Sequence, residues 1–70
     1  MILVFKTSID NETEVDHVAP VLNRILGKGA WNFDLEDCDR ILRVVTEVDQ
    51  VEEIATAISA SGFFCEELGD

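Results

Sequence analysis

The chain has 70 residues, which is enough for one folded domain and too few for two. Hydrophobic residues make up 47% of it, a fraction that supports a core and is too high for a disordered acidic tail. The formal net charge is −10, from 15 acidic and 5 basic residues. Nucleic acid and anionic membranes are therefore disfavoured as partners, since affinity for them depends on clustered lysine and arginine.

No apolar run approaches the length of a transmembrane helix, and the N-terminal apolar run lacks the basic leader of a signal sequence. We therefore expect a single domain over residues 1–70, located in the cytoplasm with reduced thiols.

The first predicted elements are a strand and an amphipathic helix. Residues 2–9 are mostly β-branched, aliphatic or aromatic, and their alternation places Leu3, Phe5, Thr7 and Ile9 on one face. Helical spacing follows from Val15 to Leu26. Asn11 and Glu14 form the asparagine variant of a capping box before this helix, and Gly27 is its expected stop. Pro20, inside the helical pattern, predicts a kink or a later helix start.

A hairpin, a second helix and a last strand are predicted next. Residues 31–35 alternate aromatic or aliphatic with polar side chains, residues 41–46 are β-branched and apolar, and residues 36–40 form an acidic turn between them. The second helix is expected to start at Asp49, with Glu52 completing a second capping box. Gly62 is its predicted C-terminal cap, with Phe63 folding back on the helix.

The predicted order is strand, helix, strand, strand, helix, strand. Two interlocked right-handed βαβ units with this order give a ferredoxin-like βαββαβ two-layer sandwich, which belongs to the α+β class. It has a four-stranded antiparallel sheet with two helices on one face. The second and fourth strands form the opposite edges of this sheet.

Five segments follow one another as they do in a known family. These segments are Phe5-Lys-Thr-Ser-Ile9, Val15-Asp-His-Val18, Trp31-Asn-Phe-Asp-Leu35, Ile41-Leu-Arg-Val-Val45 and Ile54-Ala-Thr-Ala-Ile58 with Ser61-Gly-Phe63. In their order and spacing they resemble the heavy-metal-associated family of small copper chaperones and ATPase metal-binding domains. The resemblance covers nearly the whole chain and implies the sandwich described above.

The chain departs from the family at the metal-binding loop. The family carries C-x-x-C there, whereas aligning Val15 with the valine after the second cysteine places Asn11 and Glu14 at the ligand positions. Thiolates select Cu(I) and suit Zn(II), and an amide with one carboxylate does not. We therefore expect that the thiolate site is lost and that these two residues serve only as a helix cap.

Other metal ligands are sparse. Cys38 lies in the hairpin turn and Cys65 in the last strand, so that they occupy opposite edges of the predicted sheet at well over ~10 Å. His17 is expected to be solvated on the polar side of the first helix. No intramolecular soft-metal site is therefore expected. A metal ion held between two chains by the Cys38 of each is an open alternative. The acidic runs at residues 10–16 and 36–39 lack calcium-loop spacing and predict a solvated surface.

Catalysis is not supported, because no nucleophile has an evident base beside it. The sheet face away from the helices is predicted to expose Ile2, Val4, Ile41 and Val45, either as an interaction surface or shielded by long charged neighbours. Self-association through this face or an edge strand, and docking to a larger protein, are both open. We expect a non-enzymatic binding module without a cofactor. The alternative is a carrier of Cu(I) or Zn(II) at a non-standard site, either Cys38 from two chains or the acidic end.

Overall fold

A computed structural model describes residues 1–36 and 40–68. Its elements are β1 (Ile2–Thr7), α1 (Glu12–Leu26), β2 (Trp31–Asp34), β3 (Ile41–Val45), α2 (Val51–Ala60) and β4 (Cys65–Glu67). The four strands form one sheet in the order β2-β3-β1-β4, with every neighbouring pair antiparallel. The predicted α+β class and four-stranded antiparallel sheet are confirmed, and β2 and β4 are the edge strands.

One face of the sheet is buried under both helices. Alternation along the central strands turns Leu3 and Phe5 of β1 and Leu42 and Val44 of β3 to the same side. These side chains share one buried cluster with residues of both helices, namely Val18, Leu22, Ile54 and Ile58, and with Ile9. Both helices therefore lie on the same face of the sheet, as predicted.

Helix α1 begins and ends where the sequence predicts. Asn11 is its N-cap in an extended conformation, and Gly27 is its C-cap with a φ of 87°. The amide of Gly27 donates to the carbonyl oxygen of Asn23 at 2.8 Å. Of the two outcomes predicted from Pro20, a kink or a later helix start, the later start is wrong, because the helix runs through this proline from Glu12. Because Pro20 has no amide hydrogen, the carbonyl of Asp16 lacks its helical donor. The side-chain cap at Asn11 helps to offset this loss of helix stability.

The start of α2 differs from its prediction. Its N-cap is Gln50 and not Asp49, and no side chain caps it. The Asp49 carboxylate instead accepts from the amide of Val51 at 3.1 Å, so the second capping box with Glu52 is wrong. The reason is tertiary, since the Gln50 side chain donates to the carbonyl oxygen of Ile25 at 3.3 Å and accepts from the Thr46 hydroxyl at 2.9 Å.

The end of α2 follows the prediction. Gly62 has a φ of 93°, and its amide donates to the carbonyl oxygen of Ser59 at 3.0 Å. The amide of Phe63 donates to the carbonyl oxygen of Ile58 at 3.2 Å. These two bonds define a Schellman motif, and Phe63 packs against the core cluster that contains Ile58.

Helix α1 is also joined to the edge strand β2. The indole nitrogen of Trp31 donates to Oδ1 of Asn23 at 2.9 Å, and the ring of Trp31 meets that of Phe33 edge-on with centroids 5.8 Å apart. Within the described part of the chain, neither helix has the length and apolar character needed to cross a bilayer.

Candidate functional site

Asn11 and Glu14, the two residues that the sequence alignment singled out, cap the start of α1. Oδ1 of Asn11 accepts from the amide of Glu14 at 2.9 Å, which is the first half of the predicted capping box. The second half differs, because Oε1 of Glu14 accepts from the amide of Asp10 at 2.7 Å and not from that of Asn11. Both side chains are thus engaged with backbone donors. Glu14 also extends the cap one residue further back along the chain than a standard capping box does.

A hydrogen-bonded junction between β1 and β3 supports this helix start. The Thr7 hydroxyl is buried, donates to the carbonyl oxygen of Arg40 at 2.7 Å, and accepts from the amide of Ile9 at 3.2 Å. The guanidinium of Arg40 in turn contacts Oδ1 of Asp10 at 2.6 Å through both Nε and Nη2. Residues 7–14 are therefore held at both ends, by Thr7 on the strand side and by Asn11 on the helix side.

Among the described residues, Cys65 and His17 are the soft or borderline ligands, and neither belongs to a group of three or more metal-ligating side chains. Cys65 is half-buried on edge strand β4, and burial raises the pKa of its thiol from 9.0 to about 11, so it stays protonated near neutral pH. His17 is exposed, as predicted, but its ring also meets Phe63 edge-on with centroids 6.1 Å apart. Cys38 lies outside the described residues, so its distance from Cys65 and its availability to a second chain remain as predicted from the sequence.

The acidic end is partly engaged in structural bonds. Asp10 is paired with Arg40, and Glu14 accepts from a backbone amide. Glu12 and Glu36 line the same shallow surface cleft, which places the start of α1 beside the end of β2. Asp37 and Asp39 lie outside the described residues. Among residues 1–36 and 40–68, no group of three or more His, Cys, Asp or Glu is arranged to hold a metal ion.

The open face of the sheet carries an exposed apolar pair. Ile2 and Val45 are directly opposite each other on β1 and β3 and are 69% and 63% exposed. Val4 is half-buried next to them, and its backbone pairs with Leu68 beyond the end of β4. These four side chains form an apolar strip at one end of the face, which we call the open-face strip.

Ile41 does not belong to the open-face strip. Its predicted exposure is wrong, because it is only 6% exposed. Lys6 of β1 and Asp34 of β2 flank it in register on the same face. Val45, by contrast, lies between Ile2 and the small side chain of Ala30. Long charged side chains therefore cover Ile41 at one end of the face, and no such side chains from the described residues cover Val45 at the other end.

Sequence reasoning missed three residues that shape these regions, namely Thr7, Arg40 and Gln50. Thr7 carried a usable signal, because it is a polar residue at the inward position of an alternating strand and so needs a buried partner. Arg40 carried none, since its φ of 50° and its contact with Asp10 depend on where the hairpin returns. Gln50 bonds to a helix that is distant in sequence, which no local pattern reveals.

The fold and these surfaces define a small α+β sandwich with a capped helix start and one open sheet face. This chain matches no protein-family model, and it has no significant match among curated proteins or solved structures. The resemblance to the heavy-metal-associated family therefore rests on the order and spacing of the chain's own segments.

Proposed function

We propose that this chain is a non-enzymatic binding module of the ferredoxin-like, heavy-metal-associated type, in which the metal-binding loop has become a structural helix start. Its cargo-binding role is replaced by protein interaction, in the cytoplasm.

One observation carries the loss of the metal site. The side-chain oxygens of Asn11 and Glu14, at the two aligned ligand positions, accept hydrogen bonds from the amides of Glu14 and Asp10. A metal ion bound through Oδ1 of Asn11 would compete for that oxygen with the amide of Glu14, which is a donor of the helix start. These bonds support a structural role for the first turn of α1.

The open-face strip supports the interaction role. Ile2 and Val45 form a cross-strand pair that leaves most of both side chains in water. Arg43, beside Val4 on the same face, lies 3.7 Å from the carboxylate of Asp34, so charge and apolar surface adjoin. A protein partner with an apolar centre would bury the pair and meet these charges at the rim, which is the usual arrangement of such interfaces.

The test restores the thiolates. We expect the wild-type chain to fail in competition for Cu(I) and Zn(II) against a chromophoric chelator under reducing conditions. The double variant Asn11→Cys with Glu14→Cys should compete, because its thiols recreate the family's spacing at the start of α1. A matched control is Glu53→Cys with Thr56→Cys, which places two thiols at the same spacing on the exposed side of α2.

Two results would count against the proposal. If the restored loop binds no better than the α2 control, then Asn11 and Glu14 do not lie where the family holds its metal. If the wild-type chain competes and Cys38→Ser abolishes that, the chain is a metal carrier that uses Cys38, which is the alternative function.

A further inference from the structure

The two edges of the sheet differ in what they present to a neighbouring strand. Just before β2, the carbonyl oxygen of Ala30 accepts from the amide of Val45 on β3 at 2.7 Å, which makes Ala30 and Val45 a hydrogen-bonded pair. In an antiparallel ladder the next residue, Trp31, and then Phe33 turn their N–H and C=O groups away from β3. Strand β2 lies at the end of the sheet order, and no described residue pairs with these outward groups.

We propose that β2 pairs with β2 of a second copy of this chain, related by a two-fold axis at Asn32, so that the two sheets become one continuous sheet. This interface is separate from the open-face strip and does not depend on the loss of the metal site.

The register about Asn32 is self-complementary. Trp31 lies opposite the second copy's Phe33, and each such pair exchanges both backbone hydrogen bonds. The same pair sets an aromatic ring opposite an aromatic ring on the helix side of the sheet, which is a favourable cross-strand combination. Asp34 lies opposite Ala30, and Asn32 lies opposite its own copy. No like charges therefore meet within the paired strands.

The flanking residues add charge complementarity. Lys28 precedes β2 and Glu36 follows it, and both side chains are exposed. Because the two strands run antiparallel about Asn32, each Lys28 comes to the end of the interface where the second copy's Glu36 lies. Two symmetric pairs of opposite charge result, one at each end.

The other edge is protected against the same pairing. Strand β4 has three residues, and its outward backbone groups belong to Cys65 and Glu67. Pairing about Glu66 would set that residue opposite its own copy and Cys65 opposite Glu67, with four carboxylates close together. Short length and charge are the usual means of blocking an edge strand, and β2 contains only one charged residue, Asp34.

The association should be weak and strengthened by salt. Two copies that each carry a net charge of −10 repel one another at long range, and salt screens that repulsion over a Debye length of ~10 Å at 0.1 M. An interface made by one four-residue strand from each copy is small for a protein complex. We therefore expect a dimer with a Kd of roughly 10⁻⁴ M. A complex with a basic protein would respond to salt in the opposite way.

Sedimentation equilibrium of the full chain tests this proposal. Asn32→Lys places two lysines face to face at the two-fold axis and should weaken association about fivefold or more. The variant reduces the net negative charge, so general repulsion cannot explain weaker association. Glu36→Lys should also weaken it, and adding Lys28→Glu to Glu36→Lys should restore it by exchanging the two charges.

Glu66→Lys on β4 is the matched control, because it makes the same change of charge as Glu36→Lys at the other edge. It should leave association unchanged or slightly stronger. A strict monomer up to about 1 mM would overturn the proposal, since even weak dimers are populated at that concentration. So would association that Val45→Asp abolishes and Asn32→Lys leaves intact, which would place the contact on the open-face strip.

Discussion

The two helices begin from nearly the same sequence pattern and are built differently. Asn11 with Glu14 and Asp49 with Glu52 have the same spacing, each just before an apolar helical stripe. At α1, Asn11 is the N-cap and its side chain accepts from the amide three residues on. At α2 the cap is Gln50, whose side chain is directed to the carbonyl oxygen of Ile25 at the end of α1.

The difference shows that a capping pattern predicts the first residue of a helix to within one position. Which side chains hydrogen-bond at that helix start depends on contacts with residues distant in sequence. The start of α1 is held by residues close in sequence, together with Arg40. The start of α2 is held by the end of α1 and by Thr46, and Asp49 supplies a single bond outside the cap. Three changes test this comparison, beginning with the largest expected effect.

The strongest perturbation of the α1 side is at Thr7, which anchors the segment leading into the cap. Thr7→Val keeps the shape of the side chain and removes its hydroxyl, which leaves the buried amide of Ile9 without an acceptor. We expect a loss of about 2 kcal/mol in the free energy of unfolding, measured by urea titration. Thr56→Val on the exposed side of α2 is the control. Equal losses for both variants would show that the Thr7 hydroxyl contributes nothing special.

The caps themselves give the second test. Asn11→Ala should lower the free energy of unfolding by about 1 kcal/mol, because the amide of Glu14 loses its acceptor. Asn11→Ser should recover most of that stability, since serine caps comparably well. Asp49→Ala should cost only about 0.5 kcal/mol, because it removes one exposed hydrogen bond to the amide of Val51 and the favourable charge at the α2 start. An Asp49→Ala variant as destabilised as Asn11→Ala would mean that both helix starts are made alike.

The smallest expected effect is on the pH dependence of stability. It sets the pH range in which the two helix starts can be compared without a contribution from the Cys65 thiol. Burial raises the pKa of the Cys65 thiol to about 11 in the folded chain, against 9.0 for an exposed thiol. Above the lower value the unfolded chain releases this proton first, so stability declines as pH rises from about 9 towards 11 and is unaffected below that range. In a Cys38→Ser background, adding Cys65→Ala should remove part of the loss in urea midpoint between about pH 8 and pH 10. If the two backgrounds lose stability in parallel, the thiol is not the source.

Much of the fold follows from short-range patterns. The period-two alternation of β1, the helical stripe that contains Val18 and Leu22, and the glycine at the end of each helix are local features. Each has one favourable structure, so element order, the buried sheet face and the Schellman motif could be predicted.

The site was less predictable because its details depend on neighbours across the sheet. The exposure of Val45 and the burial of Ile41 depend on which residue lies opposite, Ala30 just before β2 for Val45 and Asp34 on β2 for Ile41. Knowing these partners requires the strand register. Similarly, Glu14 reaches the amide of Asp10 in a segment whose path is held by Thr7 and Arg40. A sequence pattern identifies Glu14 as a cap residue. It does not predict which amide Glu14 will accept from, because that depends on where Arg40 lies.

The bond between Trp31 and Asn23 gives the protein an internal optical reporter. Trp31 is the only tryptophan and the chain has no tyrosine, so red-edge ultraviolet excitation addresses a single side chain. Its indole nitrogen is bonded to α1 while its backbone belongs to β2. Its emission therefore monitors the attachment of one helix to one strand. Loosening of that attachment would shift the emission to longer wavelength while the helical signal in the far-ultraviolet circular dichroism of the whole chain was still intact.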